Sequence, residues 1–79
     1  MIHAREDYNR IQDPSGLIPD DEPVFLLRAQ DATAPAVVRT WADMAEAAGA
    51  DARIVLAARH QAFAMESWQA AFGSKTPDI

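Results

Sequence analysis

The chain has no cysteine, so disulfides and thiolate metal sites are excluded. With them go two of the usual staples of a small fold, leaving oligomerisation as the remaining route to stability. Only two histidines occur, His3 and His60, far apart in sequence, which argues against a zinc site built on them. The three glycines, Gly16, Gly49 and Gly73, all fall where a turn or a helix end is expected, so no Gly-rich phosphate loop is present. No apolar run approaches the ~20 residues of a membrane-spanning helix, and the N-terminus carries no apolar signal segment. The cytoplasm of the cell that makes the protein is the expected location. Lysine is scarce as well: Lys75 stands against Arg5, Arg10, Arg28, Arg39, Arg53 and Arg59. A guanidinium grips phosphate bidentately and stacks on rings, although a GC-rich genome enriches Arg and Ala in the same way. The net charge of −5 argues against non-specific duplex binding, which needs a basic footprint. It leaves room for a small anion in a local basic pocket.

At 79 residues the chain is one domain, 1–79. A chain this short buries only roughly 60–65% of its unfolded surface. The expected order is an N-terminal arm and loop over 1–22, a strand plus helical hairpin over 23–73, and a loose tail over 74–79. Tyr8 and Ile11 are three apart, the spacing of a short helical turn. Asp13-Pro14-Ser15-Gly16 reads as a turn, and Pro19-Asp20-Asp21-Glu22-Pro23 as a solvated acidic loop. Val24-Phe25-Leu26-Leu27 is too short for a helix and reads as a buried strand or extended segment over about 24–29.

The first helix is expected over about 34–48. Thr33 or Ala34 caps it, Pro35 lies in its first turn, and Gly49 ends it as a left-handed residue. Val37, Trp41, Met44 and Ala48 form its apolar stripe. The second helix is expected over about 51–72, with Asp51 as N-cap and Gly73 as stop. The short link forces antiparallel neighbours, and Ala45, Ala48, Ala58 and Ala62 permit close packing. The fold class is thus mainly α: an antiparallel helical hairpin preceded by a short extended segment and an arm. Val55, Ala58, Ala62, Met65 and Phe72 make one stripe of the second helix, with Ile54 and Trp68 flanking it and Leu56 and Phe63 pointing elsewhere. A helix apolar nearly all round is buried nearly all round, so a homo-oligomer is expected unless the N-terminal segment folds back over the second face.

No catalytic constellation is found. Ser15, Ser67 and Ser74 lack a nucleophile motif, and nothing supplies nucleophile, base and stabiliser together. The chain is therefore read as no enzyme, with no cofactor and no metal. Binding chemistry is better supplied. Tyr8 and Arg10 offer an aromatic face beside a guanidinium, which suits a base and its phosphate. Arg28, Gln30 and Asp31 stand at the junction before the first helix, and alternation puts Arg28 and Gln30 on one side. Each has a plainer alternative: packing onto the hairpin for Tyr8, an ion pair with Asp31 or a neighbouring chain for Arg28, local capping for Asp31. Trp41 and Trp68 fall on apolar stripes and read as core or interface.

The run Glu22-Pro23-Val24-Phe25-Leu26-Leu27-Arg28-Ala29-Gln30-Asp31, then Ala34-Pro35, Val38-Arg39 and Trp41-Ala42, resembles small phage and prophage proteins. So do Met65-Glu66-Ser67-Trp68-Gln69 and Gly73-Ser74-Lys75-Thr76-Pro77-Asp78. The resemblance, over about 22–78, is to the helical-hairpin domain shared by two phage anti-defence families. One is the anti-CBASS sponge for cyclic di- and trinucleotides; the other is the anti-Thoeris sponge for cyclic ADP-ribose isomers. The resemblance implies a homo-oligomer, often a hexamer, that holds signalling nucleotides such as cyclic GMP-AMP between subunits, without cleavage, in the cytoplasm of an infected bacterial host. It implies binding roles for Tyr8 and Arg28, with Gln30 as neighbour. The short chain favours the anti-CBASS type. The competing reading is a protein-interaction or structural module of a phage with no nucleotide ligand.

Overall fold

The structure is a computed structural model that describes residues 1–78. It is mainly helical: a hairpin of two helices, α1 (Ala34–Ala47) and α2 (Ala52–Phe72), beside a small parallel sheet. Local signals delimit both helices. Pro35 occupies the first turn of α1, where its missing N–H costs nothing. Thr33 is the N-cap residue, but its side chain makes no capping bond. At the other end Gly49 adopts φ +85°, and the amides of Gly49 and Ala50 donate back to the Glu46 and Ala45 carbonyls at 3.0 and 2.9 Å. That is the Schellman closure, and it uses carbonyls the helix end would leave unpaired. Asp51 caps α2 by accepting from the Arg53 amide at 2.8 Å.

The sheet is shorter than the expected extended segment. Strand β1 (Ile2–His3) pairs in parallel with β2 (Pro23–Val24), so only the first residue of the apolar run, Val24, is in a ladder. β1 offers two residues and the pairing stops with it. Beyond β2 the run is not a buried strand: Leu26 and Leu27 are half-buried and Phe25 is 74% exposed. Between the strands Asp13 organises the loop, accepting from the amides of Ser15, Leu17 and Ile18 at 2.9, 2.6 and 3.0 Å. Three such donors hold its carboxyl below the ordinary range, the Ser15 amide most strongly.

The hairpin packs through small residues. Ala34 and Ala42 of α1 and Val55, Ala62 and Met65 of α2 are its buried apolar residues. The expected α1 stripe does not make the helix contact: Val37, Trp41 and Met44 are exposed, as is Phe72 at the end of α2. Alanines facing one another let the axes close toward the short end of the ~8–10 Å range, and larger side chains would hold them apart. Ion pairs flank the contact: Arg39 meets Glu66, and Arg59 reaches Asp43 at 2.9 Å and Glu46 at 3.1 Å. The bonds it donates to Glu46 and Asp43 hold the Arg59 guanidinium more basic than usual. Among the described residues no large side chain is fully buried. The chain measures 35 × 34 × 18 Å.

The tail expected to be loose is tied in. The Lys75 amide donates to the Gln30 carbonyl and the Ala32 amide to the Lys75 carbonyl, both at 2.9 Å, which bridges Asp31 to Lys75. Ile79, the end of that expected tail, lies outside the described residues.

Candidate functional site

Three segments far apart in sequence converge beside the start of α1: the arm, the stretch after β2, and the tail. Gln69 on α2 fixes the middle one, donating to the Ala29 carbonyl at 2.8 Å and the Asp31 carbonyl at 3.0 Å. Between them lies a cavity of about 270 Å³. Of the residues read from sequence as binding residues, Tyr8, Arg28, Gln30 and Asp31 line it. Arg10 does not; it is exposed on the arm, two residues past the turn that carries Tyr8.

Arg5 takes the place expected for Arg10. A single 3-10 turn, Glu6–Tyr8, brings the chain round so that the Arg5 guanidinium carbon sits 4.9 Å from the Tyr8 ring centroid. Arg5 Nε and Nη2 donate to Asp7 Oδ1 and Oδ2 at 3.0 and 2.8 Å, and Nη1 donates to the Asp78 carbonyl at 3.1 Å. The bidentate bond to Asp7 makes Arg5 more basic and draws the Asp7 carboxyl below its usual range. Arg5 thus joins arm to tail while stacked on the aromatic face. Behind Tyr8 stands buried His3, ring centroids 6.3 Å apart and nearly edge-on at 76°. His3 Nε2 lies 2.6 Å from the Ile11 carbonyl. A carbonyl only accepts, so Nε2 carries the proton there. Nδ1 is buried without a partner among the described residues.

The cavity's cations are Arg5, Arg28 and Lys75. Lys75 Nζ is 2.9 Å from Asp78 Oδ1, a bond that pulls the Asp78 carboxyl below its ordinary range. Arg28, exposed like Lys75, differs from both in making no ion pair among the described residues. Its expected alternative partner, Asp31, is engaged locally instead. Asp31 Oδ1 accepts from the Thr33 amide and hydroxyl, both at 2.8 Å. Asp31 therefore shapes the turn into α1, and Arg28 is left facing the cavity with its donors available. A shallower hollow of about 200 Å³ adjoins, sharing Gln30 and Lys75 and walled by Trp68 and Phe72, whose ring centroids are 5.0 Å apart.

The sequence reading missed Arg5, Lys75 and Asp78. The Arg5-x-Asp7 spacing with Tyr8 three residues on was a usable local signal. Nothing local marks Lys75 and Asp78, since they reach the cavity through the bridge to Asp31 and the bond from Arg5 to the Asp78 carbonyl. Among the described residues no group of three or more His, Asp or Glu side chains is placed to hold a metal ion, and no helix is long and apolar enough to cross a membrane. Comparison with protein-family models, with curated proteins and with solved structures finds no match.

Proposed function

We propose that the chain is a sponge that binds cyclic oligonucleotide second messengers, cyclic di- and trinucleotides such as cyclic GMP-AMP, and keeps them from their effector without cleaving them. In a phage this would blunt a bacterial CBASS response from within the host cytoplasm. One observation carries the reading: an aromatic face under a guanidinium (Tyr8 and Arg5) opens into the same cavity as Arg28, a cation without an ion pair among the described residues. Ring and guanidinium suit a base, and a free arginine fork suits a phosphate. Gln30 supplies an amide that can read a base edge.

The cavity's size supports a shared site. About 270 Å³ falls short of the ~300–1,000 Å³ that encloses a drug-sized ligand. A cyclic dinucleotide is larger than that, so a second subunit would complete the enclosure. Two separate apolar exposures on α2, Leu56 with Phe63 and Ile54 with Trp68 and Phe72, support an assembly larger than a dimer, and the proposal is a hexamer. The mechanism is mass action: nanomolar affinity, ~12 kcal/mol, holds free messenger below the effector's threshold when sites outnumber it. Enclosure between subunits favours slow release.

Calorimetric titration with a panel of cyclic di- and trinucleotides tests this, followed by heating the complex and chromatography of what is released. Tight binding with the ligand recovered intact is expected. No heat from any member would overturn the sponge, and a new product would make the chain an enzyme. The uncharged apolar side of the hairpin favours a second reading, a phage protein-interaction module without a nucleotide ligand. Binding of a protein partner with a silent nucleotide panel would select it.

A further inference from the structure

The two edges of the hairpin differ in kind. Along one, Arg39, Asp43 and Glu46 of α1 meet Arg59 and Glu66 of α2 in ion pairs. Helical geometry puts Val37, Trp41, Met44 and Ala48 of α1, with Ile54, Gln61, Trp68 and Phe72 of α2, on the opposite side. No charged residue falls among them. Val37, Trp41, Met44, Ile54, Trp68 and Phe72 are all 40–73% exposed. Together their exposed parts amount to roughly 600 Å² per copy, close to the ~800 Å² per partner of a standard protein interface.

We infer that this face is covered by the same face of a second copy, so that two hairpins close into a four-helix bundle. The occupant is another copy for two reasons. Among the described residues no large side chain is fully enclosed, so the folded state needs the face covered from the outset. The face is also complementary to itself. The middle of α1 carries bulk, Trp41 and Met44. The middle of α2, between Ile54 and Trp68, carries only Gln61 flanked by Ala57 and Ala64. A twofold axis running along the hairpin, midway between its helices, lays α1 of each copy antiparallel over α2 of the other. Trp41 of one copy then seats over Gln61 and its alanines in the other, and the twofold repeats the contact. This deepens the oligomeric part of the proposed function. It draws nothing from the ligand.

The lack of native cysteine allows a direct test. Trp41→Cys and Gln61→Cys are made as separate single-cysteine chains, mixed, and oxidised without nucleotide. A mixed disulfide dimer is expected as the main product. Trp41→Cys alone should cross-link poorly, because diagonal positions in the bundle lie beyond the ~4.4–6.8 Å Cα separation a disulfide spans. Phe63→Cys, on the other side of α2, should not link to Trp41→Cys. Should Trp41→Cys fail to give a helical circular dichroism spectrum, Met44→Cys mixed with Ala57→Cys reads the same pairing. Sedimentation of the native chain as an 8.6 kDa monomer at tens of micromolar would overturn the inference, as would equal cross-linking to Phe63→Cys. The readout needs no ligand, so a silent nucleotide panel with a positive cross-link sinks the sponge alone, and the reverse result sinks this interface alone.

Discussion

Replacing Arg28 by alanine should weaken cyclic-dinucleotide binding while leaving the fold alone. The structure sets both halves of that expectation. Arg28 is exposed and holds no ion pair among the described residues, so its removal strands no carboxylate. Its effect on stability should stay within ~0.5 kcal/mol, the range of ordinary surface substitutions. A charge-assisted hydrogen bond to phosphate is worth ~1.5–3 kcal/mol, so Kd should rise roughly 10- to 150-fold. Arg28→Lys keeps the charge but loses the planar fork, and should recover part of the affinity. Arg5→Ala provides the contrast. Arg5 stacks on Tyr8, pairs with Asp7 and donates to the Asp78 carbonyl. Its loss should lower binding and melting temperature together, because the arm is released from the tail. Calorimetry at fixed salt, beside thermal unfolding at fixed protein concentration, separates the two behaviours. Unchanged affinity in Arg28→Ala would refute the assignment of the phosphate to this cation, as would a melting loss equal to that of Arg5→Ala.

Ala62 is fully buried at the helix contact, so Ala62→Leu should wedge the hairpin apart and cost about 1–3 kcal/mol, read by chemical denaturation. Gly49→Ala meets no atom within 4 Å but must adopt φ +85°; the cost should be about 1–2 kcal/mol from backbone strain alone, with α1 fraying first in hydrogen exchange. Asp13 has its carboxyl held below the ordinary range by backbone donors. A folded-state pKa lowered in this way adds stability above the unfolded value of ~3.9, and that stability disappears as pH falls through the folded value. Melting temperature should therefore drop on acidification below about pH 4, and Asp13→Asn should flatten that part of the drop; a profile identical to that of the native chain would contradict the loop's dependence on this carboxylate.

Helix existence and helix ends were legible because their causes are local. Pro35, Gly49, Asp51 and Gly73 act within a turn of their own position, through a missing N–H, a left-handed φ, a capping carboxylate and a second positive φ. The approach of Arg28 and Gln30 to one cavity was legible for the same reason, since both belong to one short stretch. Three things were decided only by tertiary structure. Which side of α1 is buried depended on how closely the helices approach, and close approach selects Ala34 and Ala42 over the larger Val37, Trp41 and Met44. The length of β2 depended on β1, whose two residues limit the ladder from 21 positions away. The composition of the site depended on the bridge between Asp31 and Lys75, which brings Lys75 and Asp78 to the arm. Local chemistry ends and begins helices within a few residues. Buried faces, strand lengths and convergent sites are agreements between distant segments, and no single segment carries them.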